Sequence, residues 1–307
     1  MIAAASPPPP GARPEGHSDM RFASFRRRDG APDTHHAGLI DPVSKRIWPV
    51  AELTGGAADD MLSLILGYER LAPRLQPSGP GLALDAVRLL APLPRPRRNV
   101  FCIGKNYREH VRERPETGGE MPEAPVVFTK APTCVIADGE PIRIPTAVSR
   151  DIDYEAELAV VIGRAGRAIE PERAFDHVWG YTALNDVTAR DLQLKHKQWF
   201  MAKSIDGFCP MGPWLVTADA LDARDLAIRC WVNDELRQDA RTSQLIFDIP
   251  TLIATISAAI ALEPGDIIAT GTPGGVGAGF KPPRFLVPGD RVRIEIEGLG
   301  RLENPVA

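Results

Sequence analysis

The 307-residue chain is poor in cysteine and in long apolar runs, and its charge is nearly balanced. Cys102, Cys134, Cys209 and Cys230 stand far apart, and no two have C-x-x-C spacing. That excludes a zinc knuckle or a dithiol redox motif and suits free thiols in a reducing cytoplasm. No apolar run approaches a membrane span, and the N-terminus has no apolar signal-peptide core. A formal net charge of only −4 gives no reason to expect nucleic acid or an anionic membrane as a partner. Glycine (27) and proline (30), in contrast, are plentiful. They point to many turns and short strands rather than long helices.

The first 19 residues, with Pro7 to Pro10 in a row, read as a disordered tail, and Met20 is an alternative start. Short strands are expected from Arg21, at Gly38 to Asp41 and at Arg46 to Val50, in an antiparallel meander. A helix over residues 59–69 would bury Met61, Leu62, Ile65 and Leu66. Pro92, Pro94 and Pro96 read as a stiff linker. The spacing therefore predicts a small N-terminal domain over residues 20–97 and a second domain over residues 98–307. In the second, a helix over residues 249–261 would bury Leu252, Ile253, Ile256 and Ile260. Asn233-Asp234 signals a hairpin turn. The stretch from Met201 to Pro213 is too rich in glycine and proline to predict regular structure.

The chemistry gathers around Asp151-Ile-Asp153-Tyr-Glu155-Ala-Glu157, which runs into an apolar, β-branched strand. Period-two alternation puts Glu155 and Glu157 on one face. Either that face is an edge turned to water, or the pair is compensated by a shared proton, a basic partner or a divalent cation. Asp186 ends another apolar run and would be a third acid or an ordinary helix cap. Together the three are hard oxygen ligands, suited to Mg²⁺ or Mn²⁺ and not to zinc. Lys203 would supply a cation near a bound oxyanion. His110 and Glu113 are three apart, and on a helix they share a face. They read as a general base with its orienting carboxylate or as an incidental surface pair. The loop from Gly271 to Gly279 matches neither the phosphate-loop nor the dinucleotide pattern. Its glycines suit sharp turns near a small anion, with Thr272 as a hydroxyl donor.

Five motifs then occur in order: Gly104-Lys-Asn-Tyr-x-x-His110-x-x-Glu113, Asp153-Tyr-Glu155-x-Glu157, Asn185-Asp186-Val-Thr-Ala-Arg190-Asp, Lys203-Ser-x-Asp-x-Phe-Cys-Pro and Thr270-Gly-Thr272-Pro-x-Gly-Val-Gly. Over residues 98–307 the chain resembles the fumarylacetoacetate hydrolase superfamily. The resemblance implies an α+β, mostly β fold, a mixed and mostly antiparallel β-sandwich roll behind a small N-terminal α/β domain, in a homodimer. It implies Mg²⁺ or Mn²⁺ on Glu155, Glu157 and Asp186. It places Lys203 and Gln193 against substrate, Arg190 and Thr272 on its carboxylate, and Lys130 as a further substrate-binding candidate. His110 and Glu113 match the pair that activates water, on a lid. The expected substrate is a small 2-oxo acid. The expected activity is metal-dependent hydrolysis of a C–C bond in an acylpyruvate. The alternatives are a decarboxylase, isomerase or tautomerase of a 2-oxo dicarboxylate such as oxaloacetate, a ureido-acid lyase, a sugar-acid dehydratase or a non-catalytic relative.

Overall fold

A computed structural model describes residues 20–31, 34–114 and 120–307. The expected tail over residues 1–19 lies outside the described residues. The organising element is the strand Ala156–Ile162, buried along its whole length. It is flanked on both sides by antiparallel partners, Val178–Asn185 and Ile267–Ala269. Strands with neighbours on both edges and cover on both faces have no polar side, which explains the unbroken Leu-Ala-Val-Val-Ile run. Ile267–Ala269 continues in parallel to Val100–Gly104, which pairs with Val126–Lys130.

In the other direction the sheet passes through Cys209–Thr217 to Arg21–Arg27, then to His36–Asp41, Arg46–Pro49 and Leu82–Ala83. The N-terminal meander is thus hydrogen-bonded into the same sheet, with Phe22 opposite Leu215. The proline-rich segment after it is packed: Pro92 is buried and its carbonyl accepts from the Ser24 hydroxyl at 2.7 Å.

Alternation along the central strand divides the core. Leu158, Val160 and Ile162 face Ile228, Ile294 and Leu302 of a four-stranded sheet and the helix Ile249–Ala259. Ala159 and Val161 face Phe22, Trp48 and the helix Met61–Leu71. The hairpin turn at Asn233-Asp234 is as expected, with Asn233 in the left-handed region (φ 59) between paired Val232 and Glu235.

Three local expectations are corrected. The helix expected over residues 59–69 is Met61–Leu71, capped by the Asp60 carboxylate through the Ser63 N–H. Its buried face is Met61, Leu64, Ile65 and Leu71, leaving Leu66 60% exposed. Ile260 leaves the helical conformation (φ −124) and is exposed, so it is a C-cap rather than a core position. The stretch from Met201 to Pro213 holds the end of the helix Phe200–Lys203 and most of the strand Cys209–Thr217. That strand tolerates Pro213 because the ladder slips between Tyr181 and Ala183, and proline at a bulge forfeits no ladder bond.

Candidate active site

Antiparallel register assembles the acids. Ala156 lies opposite Asn185. The Asp186 N–H donates to the Glu155 carbonyl and the Asn185 side chain accepts from the Glu155 N–H, both at 2.9 Å. Glu155, Glu157 and Asp186 are buried, and one ligand atom from each lies within 4.8 Å of the others. The water-facing edge is excluded, since the strand is central and Glu157 is 1% exposed. Asp186 is not a helix cap either. The nearby helix Arg190–His196 starts after Ala189 with no side-chain cap, and both Asp186 oxygens are engaged elsewhere.

The Lys203 ammonium lies 2.6 Å from both Glu155 Oε2 and Asp186 Oδ2. The Arg190 guanidinium reaches Glu155 Oε1 at 2.6 Å. Burial alone would push the Glu155 carboxyl up, but Lys203 and Arg190 outweigh it and hold it below the usual carboxylate range. Among the described residues no ion pair joins Glu157 to a cation, although the nearby Lys203 charge works to lower its carboxyl. Burial, then the neighbouring Asp186 and Glu155 charges, pushes its carboxyl well up, against one N–H donated by Gly271 at 2.9 Å. This under-compensated, all-oxygen set fits a divalent hard cation. Cation binding at all three acids requires Lys203 to give up its present contacts.

His110 and Glu113 lie on the short helix Arg108–Glu113, with His110 Nδ1 2.8 Å from Glu113 Oε1. They are not a solvated surface pair: both side chains are less than one-fifth exposed, and His110 lines the same cavity as Glu155, Glu157 and Lys203. The other Glu113 oxygen accepts from the Gly275 N–H at 2.7 Å, which latches the helix to the glycine loop. Gly275 is required there. Its φ is +103, and a Cβ would stand 1.9 Å from the Arg237 carbonyl.

Arg190, Gln193 and Thr272 also line the cavity. Lys130 does not. It is fully buried behind Asp186, donating to Asp186 Oδ1 at 2.7 Å and to the Val187 and Lys203 carbonyls. The structure therefore makes it a support for Asp186 rather than a group facing substrate. Burial would favour its neutral form, but Asp186 overrides that and keeps it protonated.

Three supporting residues have no assigned role in the sequence reading. Asp153 accepts from Arg190 Nε at 2.8 Å, Gly277 N–H at 2.7 Å and Ala278 N–H at 3.0 Å, tying the glycine loop to Arg190. Its place in the acidic alternation was a signal. Gln238 donates to Thr272 Oγ1 and the Pro273 carbonyl, both at 2.8 Å, and accepts from the Ala156 N–H. The Asn106 amide donates to the Phe247 and Thr270 carbonyls at 3.0 and 2.8 Å. Asn106 stands inside the Gly104–Glu113 motif, which was its signal, whereas Gln238 carries no local sequence signal.

The cavity itself is small, about 30 Å³, room for one or two waters. Anything larger than a few waters needs the cavity lining to open. A larger cavity of about 1090 Å³ beside Tyr68 and Trp179 shares no residue with these acids. The convergent charges make the smaller one the candidate site.

A buried carboxylate triad at the end of a central strand, facing an imidazole–carboxylate pair, makes a candidate metal-binding site on a mostly β fold. Residues 99–307 match the family model of the fumarylacetoacetate hydrolase C-terminal domain, and the chain belongs to that family. It is 50% identical over 225 residues to the oxaloacetate tautomerase YisK of Bacillus subtilis, covering 73% of this chain and 74% of the relative. Among solved structures it resembles a fumarylacetoacetate hydrolase from Exiguobacterium antarcticum. That match has TM-score 0.80 and 41% identity, over 94% of this chain and 99% of that one. It also resembles the maleylpyruvate hydrolase of Sphingobium sp. SYK-6 solved with manganese(II) and pyruvate. Here the TM-score is 0.74 and identity 33%, over 94% and 99% of the two chains.

Proposed function

We propose that this protein is a divalent-metal-dependent enzyme that interconverts the keto and enol forms of a 2-oxo dicarboxylate, with oxaloacetate the leading candidate. The observation that carries the reading is His110. Its Nδ1 is held by Glu113 beside the carboxylate triad, leaving Nε2 to carry a proton. The name of the Bacillus relative supports this outcome over C–C hydrolysis, which the sequence reading placed first. Glu155, Glu157 and Asp186 would hold Mg²⁺ or Mn²⁺, and such a cation supplies Lewis-acid polarisation of the 2-oxo group. Manganese in the Sphingobium structure and the all-oxygen donor set support this choice.

The chain's own residues do the rest. Arg190, locked by Asp153 and Gln193, presents a fixed cation to the substrate carboxylate. Thr272, held by Gln238, presents a hydroxyl. His110 Nε2 takes a proton from the carbon next to the carbonyl, and a proton is returned at the enolate oxygen. Glu113 fixes the tautomer that makes Nε2 the acceptor and stabilises the imidazolium that forms. Buried Lys203 adds positive charge where the enolate develops.

Decay of the enol absorbance of oxaloacetate, followed with Mn²⁺, Mg²⁺ or EDTA, tests this reading. Metal-dependent acceleration is expected, lost by about 10²–10⁴-fold in His110→Ala. No acceleration, together with metal-dependent cleavage of acylpyruvates to pyruvate, would replace it with hydrolysis. That second reading is favoured by the hydrolase structures. The proposal includes a homodimer, checked by a solution mass twice that of the chain.

A further inference from the structure

We propose that Trp199, seated against Gly104, is the wall that yields when an acid enters the cavity, and that it sets the bulk of the acid the site admits. The inference rests on the proposed reading of the site as a 2-oxo acid binder. At about 30 Å³ the cavity has room for a water or two and not for an acid, so part of its lining must open. Trp199 and Phe128 supply the aromatic part of that lining, edge to face with ring centroids 5.1 Å apart.

Much of the remaining wall is tied down. Glu113 fixes His110 and is itself held by the Gly275 N–H. Asp153 fixes Arg190, which holds Gln193, and Gln238 fixes Thr272. Phe128 lies inside a paired strand, opposite Cys102. Trp199 differs from all of these. It is the one residue of the run 194–201 that is not exposed. That run turns at Lys197, whose φ of 60 lies in the left-handed region that non-glycine residues rarely use. A segment anchored by so few buried side chains opens at low cost, and the turn at Lys197 gives it a hinge.

Gly104 is the seat. It does not adopt a left-handed φ, so close approach rather than backbone conformation calls for glycine here. A Cβ at Gly104 would stand 2.8 Å from Trp199 Cη2 and nearer still to Cζ3. The indole thus packs where any side chain on Gly104 would be. The Trp199 carbonyl also accepts from the Lys203 N–H at 3.0 Å, which puts the indole on the same turn as the ammonium that meets Glu155 and Asp186. An acid with a bulky chain must hold the indole off Gly104 and Phe128 and forfeits those contacts, whereas a slim acid forfeits less.

Pyruvate and 4-methyl-2-oxopentanoate test this by binding alone, because they share the 2-oxo acid and differ in the bulk of the chain behind it. Each is titrated calorimetrically into the Mn²⁺-loaded full-length protein. Trp199→Ala is expected to shift the affinity ratio about 10–100-fold towards the branched acid. Gly104→Ala, which pushes the indole off its seat, should shift it the same way by about 3–10-fold. In the Trp199→Ala background Gly104→Ala should add nothing, since its Cβ has no indole to displace. Trp199→Leu, with the same direction expected, takes the place of Trp199→Ala if that variant does not fold. An unchanged ratio in the Trp199 variant, or an equal Gly104→Ala shift in both backgrounds, overturns the gate and leaves the parent reading standing. Failure of wild type to bind either acid in a metal-dependent way overturns both.

Discussion

At the scale of single residues the site is an arrangement of buried charges, and each charge has a distinguishable role. Lys203, Arg190 and Lys130 contact Glu155 or Asp186 directly, whereas among the described residues no such contact compensates Glu157, whose carboxyl is pushed up. A carboxyl raised in the folded state binds its proton more tightly there than in the unfolded chain. Its contribution to stability is complete below the usual carboxylate range and is lost as pH rises through the raised value. In EDTA, wild type is thus expected to lose melting temperature across that window relative to Glu157→Gln. The variant should bind Mn²⁺ about 100-fold or more weakly. Parallel melting curves from pH 5 to pH 9 would contradict this assignment. Wild-type metal affinity should itself rise with pH, because the Glu157 proton must leave. Asp153 plays the converse part, neutralising buried Arg190. Asp153→Ala leaves that guanidinium with one carboxylate fewer and two loop N–H groups without an acceptor, and should cost about 3–5 kcal/mol in denaturant unfolding.

Among the elements, the contact between the Arg108–Glu113 helix and the glycine loop holds His110 beside the acids. The loop is shaped by glycines that admit no side chain. A Cβ at Gly279 would stand 2.5 Å from Glu113 Oε2, and one at Gly277 would stand 2.7 Å from Asp153 Oδ1. Gly275→Ala combines such a clash with a left-handed φ. It should displace the loop, release Glu113 and misplace His110. The expected result is a kcat loss on the order of 100-fold with an unchanged Mn²⁺ affinity. Equal losses in both measurements would show general damage rather than a misplaced base. The helix Met61–Leu71 carries a different lesson: its amphipathic period was legible, but its rotation was not. Leu62 and Leu66 look as apolar as Leu64 and Leu71, and the sheet surface beneath chose the second pair.

For the whole molecule, one mixed sheet joins the N-terminal meander to the region that bears the site. Phe22 packs on Tyr68 and Trp179 at ring-centroid distances of 6.2 and 5.7 Å, bridging the two regions. Phe22→Ala should therefore cost about 3–5 kcal/mol and lower the melting of the entire chain in one transition. A separate early transition of the N-terminal region would argue against shared stability. By itself the amino-acid sequence determined the elements and the chemical inventory: the period-two acids, the apolar central strand, the Asn233 turn and the motif set of the family. These depend on local spacing, which the backbone period converts directly into faces. Only the tertiary structure decided which charge met which. Strand register set Asp186 against Glu155, Lys130 was buried behind Asp186, and Gln238 was drawn in from a site with no motif. Such partners are chosen by desolvation, since a charge removed from water needs a neighbour wherever the fold brings one close.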